Sequence, residues 1–168
     1  MSEHPLLRAD EILRTLFEEG VEFVLIGGLA AQVHGSPSLT GDIDICHSLD
    51  RANLERLDRA LERLVAIRRM MAAGIESPVD LRALRTGDVL TLTTRFGNLD
   101  LLAHPAPNLG YDRLRTQSIE ASIFGIHVRV ASLDDLIAMK RAAGRPKDRV
   151  ELEILGALRE EVDRSGGR

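Results

Sequence analysis

Two aspartates one residue apart, Asp42 and Asp44, sit in the apolar stretch "DIDIC". Side chains of a strand alternate faces with period two, so both carboxylates point one way while Ile43 and Ile45 point to the core. Like charges this close disfavour each other's ionised form unless something positive lies between them. A divalent cation meets that need, and carboxylate oxygens are the ligands that Mg²⁺ prefers. A solvent-facing edge strand is the bland alternative. A third acid, Asp100, lies in "GNLDLL", just past a turn and inside another apolar run. Three carboxylates on adjacent strands can hold two metal ions, an arrangement suited to in-line displacement at phosphorus. Upstream, Gly27 and Gly28 end the apolar run "VEFVLI" and precede a helical segment. Glycines let a ligand approach the backbone closely, and amides at a helix start suit phosphate. A tight turn is the plain reading of the pair. No GKS or GKT follows it and no G-x-G-x-x-G is present, so the segment is neither a P-loop nor a dinucleotide fingerprint.

These residues need elements to position them. Apolar spacing predicts a helix from Leu6 to Phe17 stopped by Gly20, a strand Val21–Ile26, and a helix from about Leu29 to His34. A loop Gly35–Gly41 leads to the strand at Asp42. "DRANLERLDRALERL" predicts an amphipathic helix with Leu54, Leu57, Leu61 and Leu64 inward, and Glu55 and Arg59 paired on a solvated face. Residues 66–87 predict only irregular or short helical structure. "DVLTLTTRFGNLDLLAH" predicts a hairpin turning at Arg95–Asn98, and "IEASIFGIHVRVAS" a strand pair around Gly125. Tyr111–Thr116 reads as a short helix. Ser132, with Asp135 three residues on, reads as the capping box of a helix that Gly144 ends. Pro146 reads as the first turn of a last helix. The order predicts an α/β (α+β) fold, a mixed β-sheet flanked by helices with a helical C-terminal segment. One domain over residues 1–162 is expected, with a flexible tail at 163–168.

Composition narrows the classes. The chain has 168 residues, 44% hydrophobic and 29% charged, enough for a real core. A formal charge of −4 argues against a general nucleic-acid surface, though Arg68, Arg69, Arg82 and Arg85 allow a local patch. One cysteine, Cys46, permits no internal disulfide and reads as a buried thiol. With no Trp and 3% aromatics there is little to stack bases. His34 reads as a helix-end residue, and His47, His104 and His127 show no ligand spacing. Met70, Met71 and Tyr111 read as packing. No run is long and apolar enough to span a membrane, and "MSEHPLLRADEIL" has no signal-peptide core, so a cytoplasmic protein without a membrane partner is expected.

The stretch "IGGLAAQVHG…TGDIDI" resembles the signature of the polymerase-β-type nucleotidyltransferases: Gly-Gly or Gly-Ser, a spacer, Asp-x-Asp, and a third acid on a later strand. Thirteen residues separate Gly28 from Asp42. "LDDLIAMKRAAGRPKDRVELEIL" resembles a K-x-x-x-x-R-x-K-D run of small bacterial members, the abortive-infection-type nucleotidyltransferases and others of uncharacterised role. The resemblance spans Val24 to about Leu155 and leaves residues 66–87 unmatched. It implies that Gly27 and Gly28 hold an NTP, that Asp42, Asp44 and Asp100 bind Mg²⁺ or Mn²⁺, and that Lys140, Arg145 and Lys147 contact the nucleotide. It implies transfer of NMP to a hydroxyl acceptor with release of pyrophosphate. The acceptor stays open among a tRNA end, a partner protein's side chain and a small molecule, and a toxin–antitoxin or phage-defence setting goes with it. Read from the residues alone, Lys140 can be a surface lysine, and Arg145, Lys147 and Asp148 an ion cluster at a helix start. A partner-binding, antitoxin-like protein on the same scaffold is the rival from another class.

Overall fold

The computed structural model describes residues 6–69, 77–87 and 89–166. The elements run α1 (Ala9–Glu18), β1 (Phe23–Ile26), α2 (Gly27–Val33), β2 (Asp42–His47), α3 (Arg51–Arg63), β3 (Ile67–Arg68), β4 (Ser77–Pro78), α4 (Leu81–Arg85), β5 (Leu90–Thr94) and β6 (Gly97–Leu101). They continue with α5 (Tyr111–Gln117), β7 (Ile119–Ile123), β8 (Ile126–Val130), α6 (Leu133–Ala143) and α7 (Asp148–Gly166). One mixed sheet orders the strands β4-β3-β5-β6-β2-β1-β8-β7. β2 runs parallel to β6 and antiparallel to β1, and β1 runs parallel to β8. The expected mixed sheet flanked by helices is therefore present.

β2 lies at the centre because its neighbours bury it. Ile43 and Ile45 are fully buried, as are Leu99 and Leu101 beside them on β6. Helices α1 and α3 contribute Ile12, Leu13, Leu16, Leu54, Leu57 and Leu61 to the same core. Asn53 ties α3 to the sheet's end: its Oδ1 accepts from the Glu22 amide at 2.7 Å, and its Nδ2 donates to the Glu22 and Ser48 carbonyls at 3.0 Å. This buried amide has both ends satisfied, which removes the cost of its burial.

Several expectations need correction. Phe17, one of the apolar residues whose spacing marked the first helix, is 54% exposed. Glu55 pairs with Arg51, while Arg59 and Arg63 reach Glu19 at the end of α1. Part of the α3 charged face is therefore a seam between two helices, because α1 presents acids across it. α2 starts at Gly27, two residues before the apolar run that marked it. Residues 66–87 contain two short strands and α4, too brief to carry a period. Pro146 sits in a turn ahead of α7, where the Asp148 amide bonds the Arg145 carbonyl at 2.9 Å. α7 continues to Gly166, past the predicted end at Val162. Ser132 caps α6 by accepting from the Asp135 amide, but Asp135 Oδ2 has no hydrogen-bond partner, so that oxygen does not close the box. Met70 and Met71 lie outside the described residues.

Truncating Ile43, the residue between the two aspartates, tests whether the far face of β2 is the core. Ile43→Ala should lower unfolding free energy by about 2–5 kcal/mol in urea titration. A cost near zero would mean that face is not packed.

Candidate active site

The register sets the acids side by side. Asp44 pairs with Asp100 across the parallel β2–β6 ladder, and Asp42 with Asn98. Oxygens of Asp42, Asp44 and Asp100 all lie within 4.8 Å of one another. The three line a cleft of about 400 Å³ with Gly27, Gly28, Thr40, Lys140, Arg145, Lys147, Asp148 and Glu151. Every residue singled out from the sequence for this chemistry lines that cleft.

The glycine pair has a steric reason. Gly27 adopts φ +69°, and a Cβ there would sit 2.1 Å from Asp44 Oδ2. A Cβ on Gly28 would sit 2.7 Å from the Thr40 Cβ. Thr40 in turn donates from Oγ1 to Asp42 Oδ1 at 3.0 Å. One glycine thus makes room for the Asp44 carboxylate, and the other for the threonine that orients Asp42. Thr40 went unassigned in the sequence, although it stands directly before "GDID".

Burial raises the Asp44 carboxyl to about 7, and the charges of Asp42 and Asp100 add to the effect, against a pull from Lys140 and Arg145. Asp100 is also raised, first by burial, with Arg69 opposing. Arg69 donates from Nη2 to Asp100 Oδ1 at 2.6 Å. Its part in the site was missed, because Arg69 lies in the segment without periodicity. Three carboxylates crowded on one sheet face form a donor set that fits a hard divalent cation.

The far wall is built on Asp148, only 2% exposed. Arg145 Nε bonds it at 2.8 Å and Lys140 Nζ at 3.1 Å. The Arg145 hydrogen bond is the chief reason its carboxyl falls to about 2. Lys140 and Arg145 are therefore both an ion cluster at the start of α7 and cations on the cleft. Glu151 accepts from Ser36 Oγ at 3.2 Å and Ser38 Oγ at 2.7 Å, tying the loop before β2 to α7. The other readings stayed outside the chemistry. Cys46 is buried, its thiol pushed to about 12 by burial. His34 Nε2 lies 2.8 Å from the Ala131 carbonyl. His47 is buried, with neither ring nitrogen bonded, and falls to about 4 through burial and the neighbouring His104. Arg82 and Arg85 lie exposed on α4, which packs on α3. No helix among the described residues is long and apolar enough to cross a membrane.

This sheet and helix arrangement is a nucleotidyltransferase fold. ANT(2'')-Ia, solved with adenylyl-2''-tobramycin, superposes with a TM-score of 0.56 at 18% identity, over 94% of this chain and 93% of that one. The lincosamide antibiotic adenylyltransferase LnuA, solved with lincomycin, gives 0.57 at 14% identity, over 92% and 99%. An antigenic nucleotidyltransferase-like protein from Paracoccidioides brasiliensis gives 0.58 at 16% identity, over 92% and 77%. No curated protein sequence matches the chain. Residues 4–164 match the family described as nucleotidyltransferase of unknown function (DUF6036). The chain belongs to that family and is an enzyme of the nucleotidyl-transferring class.

Two outcomes test this geometry. Gly27→Ala should perturb the site beyond its loss of backbone freedom, since the methyl overlaps Asp44 and the left-handed backbone strains any side chain. Thermal melting should fall by several degrees, and Asp44→Ala in the same chain should recover part of the loss. Asp148 has a folded pKa below its unfolded value, so it stabilises the fold above about pH 4. That contribution disappears as pH falls toward 2. Asp148→Asn should lower Tm by about 5 °C at pH 7, and the gap should close as pH falls from 4 toward 2. A gap independent of pH would show that the ion cluster is not its source.

Proposed function

We propose that the protein transfers a nucleoside monophosphate from an NTP to a hydroxyl acceptor, with divalent metal, releasing pyrophosphate. The observation that carries this is the Asp42–Asp44–Asp100 cluster, with oxygens within 4.8 Å, on the floor of a cleft walled by Lys140, Arg145 and Lys147. Opposite charges face each other across a space suited to a metal-bound polyphosphate. Asp42, Asp44 and Asp100 would hold Mg²⁺ or Mn²⁺, which when bound neutralises phosphate charge and acidifies a hydroxyl.

This chain's residues divide the remaining work. Gly27 and Gly28 line the cleft where the triphosphate would lie, and their lack of side chains leaves room for Asp44 and Thr40 beside it. Lys140 and Arg145 are held at the wall by Asp148, and with Lys147 they attract and orient the β- and γ-phosphates. Asp100 accepts the proton of the acceptor hydroxyl. The acceptor oxygen bonds to the α-phosphorus, the bond to the β-phosphate oxygen breaks, and pyrophosphate leaves with the charge. Thr40 fixes Asp42 so that little reorganisation is needed there during transfer.

The two antibiotic-modifying neighbours favour a small-molecule hydroxyl as acceptor, ahead of an RNA end or a protein side chain. A toxin–antitoxin role rests on the resemblance of the Lys140–Asp148 run. The reaction belongs in the cytoplasm, where NTPs are supplied.

Incubation with each α-³²P-labelled NTP, Mg²⁺ and a panel of hydroxylated small molecules, tRNA and cell extract should label one acceptor class. Asp42→Asn and Asp44→Asn should each reduce labelling by roughly 10³-fold or more, as removal of a principal transition-state contact does. Undiminished labelling in either variant would sink this mechanism.

A further inference from the structure

Register places four residues in one row across the sheet. Asp44 pairs with Asp100, and Asp100 with Thr91. The Thr91 carbonyl accepts from the Arg69 amide at 2.8 Å, and Thr91 Oγ1 donates to the Arg69 carbonyl at 3.2 Å. Arg69 thus continues β3 by one residue on the same ladder, since Arg68 pairs with Leu92. Residues paired across a ladder share a face, so Arg69 stands on the face of the acids, one strand beyond Asp100. Its guanidinium spans Thr91 to reach Asp100 Oδ1 at 2.6 Å. The pair is sheltered, with Asp100 17% and Arg69 32% exposed. Among the described residues Arg69 is the one cation hydrogen-bonded to a carboxylate of the cluster, because Lys140 and Arg145 are bonded to Asp148. Its Nε is buried without a hydrogen-bond partner. The guanidinium is therefore held by this contact more than by a network of its own.

We propose that Arg69 is a positioning residue that occupies Asp100 until nucleotide arrives, so that the cluster takes up divalent cation together with an NTP and not ahead of it. The inference rests on the metal-binding reading of Asp42, Asp44 and Asp100. A fixed positive charge on one oxygen of Asp100 opposes entry of a second positive charge onto the same carboxylate. A nucleoside triphosphate brings several negative charges and offsets that repulsion, so cation and nucleotide binding become coupled. A free nucleotide-less enzyme then keeps its Asp100 oriented and poorly loaded with metal.

The test is a Mn²⁺ titration read by electron paramagnetic resonance, with and without a non-hydrolysable α,β-methylene NTP. It compares the wild type with Arg69→Ala, Arg69→Lys and Asp44→Asn. Arg69→Ala should bind Mn²⁺ alone about tenfold more tightly than the wild type. The gain in affinity on adding nucleotide should shrink by the same factor, and Arg69→Lys should stay close to the wild type. A residue that merely supports the fold would loosen Mn²⁺ binding when removed. Unchanged or weaker binding by Arg69→Ala without nucleotide therefore overturns the proposal. Arg69→Met, which keeps the apolar stem, is read the same way if the alanine variant does not fold. Asp44→Asn separates the two ideas: binding equal to the wild type there removes the metal reading itself, while binding lost there with Arg69→Ala unchanged removes only the role of Arg69.

Discussion

Mutual repulsion among Asp42, Asp44 and Asp100 is the constraint around which the rest is arranged. Their oxygens lie within 4.8 Å on a half-buried sheet face, and burial with like charge pushes Asp44 to about 7. Such a cluster persists only where the surrounding structure is stable enough to hold it. Here that support is the apolar far face of the same strands, where Ile43, Ile45, Leu99 and Leu101 are fully buried. The two faces of β2 thus have opposite roles, one stabilising the fold and one carrying the charge.

Each carboxylate is then set by a separate device. Asp44 has the space left by Gly27, Asp42 has the Thr40 hydroxyl, and Asp100 has the Arg69 guanidinium. The devices come from three places in the chain, and the central ladders bring them together. Across the cleft, Asp148 draws Lys140 and Arg145 to one point while Glu151 fastens the loop before β2. The C-terminal helices therefore carry the positive wall and also brace the approach to the acids. Acid floor and basic wall together match the charge distribution of a metal-bound polyphosphate, which connects this geometry to the chemistry of the family.

What the amino-acid sequence determined by itself was whatever depends on local spacing. The period-two acids, the apolar residues between them, the hairpin at Gly97 and the helix stop at Gly144 were all legible, because each follows from neighbours in the chain. The expectation that Asp100 would join Asp42 and Asp44 came from its place in an apolar strand, and the parallel β2–β6 register brings the three together. Only the tertiary structure decided which oppositely charged groups meet. It sent Arg59 to Glu19 and not Glu55, Arg69 to Asp100, and Lys140 from the preceding helix to the Asp148 that Arg145 reaches locally. It also gave Gly27 and Gly28 their steric purpose and made strands of residues with no period. The physical reason is range. Alternation and capping act over two to four residues, whereas a guanidinium six atoms from its backbone takes whichever carboxylate the packing of distant strands sets within reach.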